Sequence, residues 1–323
     1  MSHVFLTPAR IYAGRGALTD AAGALGALGK RPLLVTDPTM MRLGVAQAVR
    51  ETMQDNGQRP AVYDGVDREP TDVIVREALA AYEAGGCDCL VAVGGGSPMD
   101  AMKAVALLAA RGGDIADYLG VVCEGALPPM AAIPTTAGTG SEATQFTIIT
   151  DTRTDVKMLL KGPCLLPPLA ILDPQFTLSA PPAVTAATGV DALTHAIEAY
   201  TSRRAQPLSD TFARSAVARV FHSLAACYRQ GDDAQARSDM ALAALEAGIA
   251  FNNASVTLVH GMSRPIGALF HVPHGLSNAM LLEVCLSYAA PGARARFADL
   301  GRLVGLSEAD SSDLEAADAF LGG

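Results

Sequence analysis

The first half of the chain alternates short apolar runs with helical patterns. RPLLVTD (31–37), CLVAVGGGS (89–97) and MAAIP (130–134) are apolar over strand length and end in turn-forming or polar residues. Between the first two, TDVIVREALAAYEAGG (71–86) starts on a capping-type Thr71 and stops at Gly85 and Gly86, which punctuates a helix. Strand, helix and strand at these lengths predict βαβ units around a parallel sheet. Over 162–182 the texture becomes a proline-rich connector around one short strand, LAILD (169–173). Beyond it, alanine- and leucine-rich segments repeat apolar residues at three and four, which predicts helices to the end. The pattern divides the chain into an α/β domain over 1–176 and an all-helical domain over 177–323.

Composition narrows the function classes. The chain has 323 residues, 50% of them hydrophobic and 18% charged, which fills two cores readily. A net charge of −9 with no basic run argues against a nucleic-acid surface, because nothing neutralises phosphates in bulk. Of six cysteines only Cys87 and Cys89 lie close together, and a lone C-x-C is a poor zinc knuckle, so all are expected to be reduced. The N-terminus lacks the charged and apolar regions of a signal peptide. The most apolar long stretch is broken by glycines, Asp100 and Lys103, against a membrane span. The expectation is a soluble, cytoplasmic protein.

The chemistry starts at a glycine-rich turn. VAVGGGSPMDAMK places Gly94, Gly95, Gly96 and Ser97 between a buried strand and a helix. Glycines there let the backbone approach a ligand, and a helix N-terminus offers free N–H groups at its positive dipole end, which suits a pyrophosphate. One glycine normally suffices for a strand-to-helix turn. Three, followed by a serine of N-capping type, favour a ligand. Asp37, at the end of LLVTD, is placed to accept from an adenosine ribose and would repel a 2′-phosphate. It suits an Asp–Pro turn equally well. PTTAGTGSEAT (134–144) adds a second hydroxyl- and glycine-rich loop suited to phosphate and nicotinamide contacts. Lys157, just downstream, is either a cationic partner or an exposed lysine.

The histidines point to a metal. Only six occur, and HGMSRPIGALFHVPHG (260–275) holds three of them. Asp191 and His195 are four apart on a helical pattern, so both side chains face the same way. His260 ends a second helical run, and His274 sits at a loop-to-helix junction. One carboxylate oxygen and three imidazole nitrogens make a four-ligand set for a divalent ion, Fe²⁺ or Zn²⁺.

These stretches resemble the iron-containing (group III) alcohol dehydrogenases. GGGSPMDAMK, PTTAGTGSEAT, ATGVDALTHAIEAYTS and HGMSRPIGALFHVPHGLSNAMLL run in the family's order up to about residue 285. The resemblance implies a dehydroquinate-synthase-like architecture: a dinucleotide-binding α/β domain, a helical domain and a cleft between them. It implies that Asp191, His195, His260 and His274 hold the metal. It places Gly94, Gly95, Gly96, Ser97, Thr135, Thr136, Thr139 and Lys157 along the dinucleotide. Asp37 falls where members that use NAD rather than NADP tend to carry an acid.

The chain departs from the pattern in places. Arg264 stands where many members carry a histidine near substrate and nicotinamide, and His271 is the nearby substitute. Glu69, in REPTD (68–72), replaces an asparagine often seen before Pro70. Phe146 and Phe251 fall at positions that wall the substrate pocket or pack in the core. The chain also ends, at EAADAFLGG, earlier than family members do. The resemblance implies reversible oxidation of small primary alcohols to aldehydes with NAD(H), in at least a homodimer. A carboxylate pairing with Arg264 would instead imply a maleylacetate-reductase-like or hydroxyacid–oxoacid transhydrogenase-like enzyme. A catalytically idle NAD-binding protein is the third reading, and it would hold no metal.

Overall fold

The computed structural model describes residues 2–270 and 272–322. It divides into two compact units. One comprises residues 7–136 and 141–179. The other comprises the N-terminal residues through Leu6, residues 137–140, and the chain from Ala180 onward.

The first unit is the expected α/β fold. Its strands are β1 (Arg10–Ala13), β2 (Pro32–Val35), β3 (Ala61–Tyr63), β4 (Cys89–Gly94), β5 (Met130–Pro134), β6 (Phe146–Asp151), β7 (Val156–Lys161) and β8 (Leu169–Leu172). Six of them form one sheet in the order β1-β8-β5-β4-β2-β3, every pair parallel. Its helices are α1 (Ala17–Asp20), α2 (Ala22–Gly26), α3 (Pro38–Arg42), α4 (Val45–Asp55), α5 (Asp72–Ala84) and α6 (Gly96–Arg111). The central strands are buried on both faces, which explains why they read as continuous apolar runs. Alternate residues serve opposite layers: Leu33, Leu90 and Ala132 pack with Ile74, Val75 and Met102, while Leu34, Val91 and Ile133 pack with Val49, Met53 and Leu25.

Thr71 caps α5 as expected, its side chain accepting from the Ile74 N–H at 3.2 Å. Two features depart from the sequence reading. β6 and β7 form an antiparallel hairpin that the apolar pattern did not reveal. Ser97 is not a cap: α6 begins at Gly96, Gly95 is the N-cap, and no side chain bonds the free amides.

The second unit is helical: α7 (Pro182–Thr201), α8 (Pro207–Arg229), α9 (Ala234–Ala254), α10 (Leu258–Phe270), α11 (His274–Leu303, kinked at Ala293) and α12 (Asp313–Gly322). A core of Ala196, Ile197, Val217, Ala247, Ala250 and Phe297 joins them. His260 does not end a helical run, as the pattern had suggested. α9 stops at Ala254, Ser255 adopts a left-handed φ of 71°, and His260 lies in the first turn of a new helix. Among the described residues no single helix is long and apolar enough to cross a membrane.

Close backbone contact shapes this unit. Gly140 has φ +58° and lies against Gly248 of α9, where a Cβ would stand 2.6 Å from the Gly140 carbonyl oxygen. Alanine normally stabilises a helix interior by about 1 kcal/mol over glycine. Here a backbone clash reverses the sign, and Gly248→Ala is expected to lower stability by about 1–3 kcal/mol in a denaturant titration.

Candidate metal centre and phosphate-binding cleft

α7 presents Asp191 and His195 one turn apart, α10 presents His260, and α11 begins on His274. A Cβ at Gly275 would run into the Ala187 carbonyl, so glycine there permits the start of α11 to lie against α7. The four side chains offer ligand atoms that all lie within 4.8 Å of one another. Asp191 Oδ1 is 3.5 Å from both His260 Nε2 and His274 Nε2, and 3.9 Å from His195 Nδ1. Metal–ligand bonds of about 2.1 Å at tetrahedral angles separate ligand atoms by about 3.4 Å.

Burial is uneven. The side chains of Asp191, His195 and His260 are 4%, 7% and 2% exposed, whereas His274 is 35% exposed, which leaves the cluster accessible on that side. Burial pushes the His195 imidazole down to about 3, although Asp191 opposes it, so this ring is neutral and its lone pair is available. Burial alone would raise the Asp191 carboxyl, yet His195, His260 and His274 hold it well below the usual range. Burial lowers His260, but hydrogen bonds to Asp191 and Glu198 outweigh this and hold it above the ordinary imidazole value. The cluster therefore favours added positive charge.

The donor set fits a divalent cation on a second count. His195 Nδ1 is buried with no hydrogen-bond partner, an uncompensated acceptor or donor that a bound ion would satisfy. Phe251 stacks on His195 with ring centroids 4.2 Å apart. Phe146 opens β6 in the other unit.

Sequence reasoning missed two residues. Glu198, fully buried on α7, meets His260 Nδ1 at 2.5 Å. The signal was its position three residues after His195, on the same helix face. Asn278 of α11 donates from Nδ2 to Asp191 Oδ1 at 2.7 Å, and the same nitrogen is 3.2 Å from His260 Nε2. Its signal was the four-residue spacing from His274.

Arg264 lies one turn beyond His260, half-buried, with an Nε that is buried and unpartnered. Desolvation lowers its pKa, and Glu198 offsets this in part. His271 lies outside the described residues.

In the α/β unit a cleft of about 400 Å³ is lined by Asp37, Arg42, Arg68, Gly95, Gly96 and Ser97 among others. Gly94, with φ +150°, is required by the fold itself: a Cβ would stand 2.6 Å from Pro98 Cγ. Gly95 differs, because a Cβ there would meet only Thr136, at ordinary contact distances of 3.5 and 3.6 Å. Nothing in the protein demands glycine at that position, and the open amides of α6 match a phosphate that approaches there. Asp37 is the N-cap of α3 and also lines the cleft. Its Oδ1 accepts from Thr39 N at 2.8 Å and Met40 N at 3.0 Å.

Thr135 is buried and follows β5, its N–H donating to the Gly94 carbonyl at 2.9 Å. Thr139 belongs with the helical unit. Lys157 is not among the cleft-lining residues, and its Nζ pairs with Glu69 at 2.5 Å. A different lysine secures the second loop. Lys103, fully buried, donates from Nζ to carbonyl and hydroxyl oxygens of Ser141 and Thr144 at 2.7–3.1 Å and to the Phe146 carbonyl at 2.9 Å. Burial pulls its pKa down to about 8.

An α/β unit with an uncapped glycine turn, and a helical unit with a buried aspartate and three histidines, are the parts of a metal-dependent, dinucleotide-linked oxidoreductase. The chain belongs to the iron-containing alcohol dehydrogenase family: residues 8–174 match the family's iron-containing alcohol dehydrogenase model, and residues 185–321 its C-terminal model. A 1,3-propanediol dehydrogenase from Klebsiella pneumoniae is 40% identical over 91% of this chain and 76% of its own length. The crystal structure of a 1,3-propanediol oxidoreductase matches 100% of this chain and 85% of that one, with TM-score 0.97 and 38% identity. The sulfoacetaldehyde reductase from Bifidobacterium kashiwanohense, solved in complex with NAD+, matches with TM-score 0.87 and 29% identity over 100% of this chain and 86% of that one.

A cation that binds only the folded cluster stabilises it by mass action, about 2.7 kcal/mol at a hundredfold excess over Kd. Chelator-treated protein is expected to gain thermal stability on addition of Fe²⁺ or Zn²⁺, and Asp191→Asn to abolish the gain in the same melting experiment.

Proposed function

We propose that the chain catalyses the reversible, NAD(H)-linked oxidation of small primary alcohols to aldehydes at a divalent metal, iron or zinc. The observation that carries this reading is the convergence of Asp191, His195, His260 and His274 within 4.8 Å. An idle NAD-binding protein has no physical need for that constellation. The net reaction moves a hydride from the carbinol carbon to the nicotinamide and releases the hydroxyl proton. When bound, the metal supplies Lewis acidity that lowers the pKa of the alcohol oxygen, and the dinucleotide supplies the hydride acceptor.

The chain's own residues do the rest. Asp191 and three imidazoles hold the cation, with His274 on the side left open. Phe251 covers His195 and keeps water off that face of the ring. Free amides at the start of α6, beside Gly95 and Ser97, receive the pyrophosphate. Asp37 accepts from the adenosine ribose and disfavours a 2′-phosphate, and Thr135 and Thr136, just after β5, add dinucleotide contacts, whereas Lys157 is engaged by Glu69. The same reading makes the protein a cytoplasmic homo-oligomer, at least a dimer, as the family resemblance implies. His260→Ala is expected to abolish NADH-dependent aldehyde reduction while leaving NADH affinity, read by fluorescence, within about twofold of the unsubstituted protein. Retained activity with unchanged metal content would remove His260 from the ligand set.

Arg264 favours a second reading, a carboxylate-bearing substrate as in maleylacetate-reductase-like or hydroxyacid–oxoacid transhydrogenase-like enzymes. Its buried Nε lacks a partner, and the sulfoacetaldehyde reductase relative is named for an anionic aldehyde. On the alcohol dehydrogenase reading, kcat/KM for propanal exceeds that for a short oxo-acid by tenfold or more. A reversed preference that Arg264→Ala lowers by about tenfold, the worth of a charge-assisted hydrogen bond, would favour the carboxylate reading.

A further inference from the structure

We propose that Glu198 is a positioning residue that sets the tautomer of His260, so that its Nε2 lone pair is directed at the metal. The inference rests on the metal reading above and concerns a residue outside the four ligands.

Glu198 follows Asp191 and His195 on one face of α7, and its side chain is 0% exposed. Its two oxygens have different partners. Oε1 accepts from Thr257 Oγ1 at 2.8 Å and from the Val259 backbone N–H at 2.6 Å. Oε2 faces His260 Nδ1 at 2.5 Å. A carboxylate held this way only accepts, so the short contact to Oε2 places a proton on Nδ1. The lone pair of a neutral ring then lies on Nε2, the nitrogen 3.5 Å from Asp191 Oδ1. Carboxylate–histidine pairs behind a metal fix the ring and raise its basicity, and removing the carboxylate typically weakens metal binding 10–100-fold.

The same geometry makes glutamine a worse substitute than its shape suggests. The Val259 N–H is a backbone donor that cannot reverse, so in Glu198→Gln the amide oxygen must occupy the Oε1 position. The amide NH₂ then faces His260 Nδ1 and donates to it. This moves the ring proton to Nε2 and blocks the lone pair. Glu198→Ala leaves the tautomer free rather than wrong, so glutamine is expected to be the more damaging change.

The experiment measures Zn²⁺ affinity of chelator-stripped protein by competition with a chromophoric chelator, alongside NADH affinity. Glu198→Gln is expected to weaken Zn²⁺ tenfold or more and further than Glu198→Ala does, with NADH affinity unchanged. In parallel, ¹⁵N NMR of the metal-free unsubstituted protein at about pH 9, above the ordinary imidazole range, is expected to show His260 protonated on Nδ1. That measurement needs no variant to fold. Unaltered Zn²⁺ affinity in Glu198→Gln, or an unprotonated Nδ1 in the unsubstituted protein, overturns this inference alone. Failure of the unsubstituted protein to bind Zn²⁺ overturns the metal reading and this inference with it.

Discussion

The helical unit depends on a buried carboxylate. Asp191 lies within 4 Å of three imidazoles, in a place where an isolated negative charge would be very costly. The three imidazoles and the Asn278 amide, which donates to Oδ1 at 2.7 Å, offset that cost, and a bound cation would offset it further. α7 supplies Asp191, His195 and Glu198 from one face, which fixes them relative to each other before any tertiary contact forms. α10 and α11 then bring His260 and His274 to the same point. Small residues allow this approach: Gly275 clears the Ala187 carbonyl, and Gly140 and Gly248 let two backbones touch.

The α/β unit uses the opposite charge. Its glycine turn leaves the amides of α6 uncapped, a concentration of donors where the sheet ends. Most helices in this protein that carry an Asp or Thr at the N-cap use it, as at Asp37, Thr71 and Asp233. The starts of α1, α4, α7 and α11 are also uncapped. What sets α6 apart is that its uncapped start lines the cleft, where the free donors suit an anion. Lys103 addresses a different problem in the same unit. The loop after β5 leaves the unit at residue 137 and returns at 141. One buried ammonium bonded to oxygens of Ser141, Thr144 and Phe146 holds the returning strand in register.

Legibility in the sequence followed the range of the interactions. The parallel sheet was readable because central strands are apolar throughout, and Asp191 with His195 because helical spacing is local. The β6–β7 hairpin was not, since its alternation is half-buried and carries no tight-turn signal. Ser97 misled because a serine before a helix usually caps it, whereas this helix starts one residue earlier. His260 was assigned to the wrong helix because the break at Ser255 depends on a left-handed φ at a non-glycine residue. Glu198 and Lys103 were missed for one reason. Each is a charged residue on a helix whose partners lie dozens of positions away, and a charge with distant partners reads as a solvated face.

The electrostatics of the metal cluster and the role of Glu198 follow from one arrangement. Two buried carboxylates, Asp191 and Glu198, flank the His260 ring from its two nitrogens. Without a metal, they stabilise a second proton on that ring, and this is why its pKa rises despite burial. A divalent ion and that proton therefore compete for Nε2. A divalent ion bound there would have to displace the proton, so its affinity would fall as the pH is lowered. Glu198 keeps the contest on Nε2 alone, because its hydrogen bond holds the Nδ1 proton in either state. The four ligands could be arranged by helix packing alone. On the reading proposed above, the protonation state that would make His260 a ligand requires a fifth residue, Glu198.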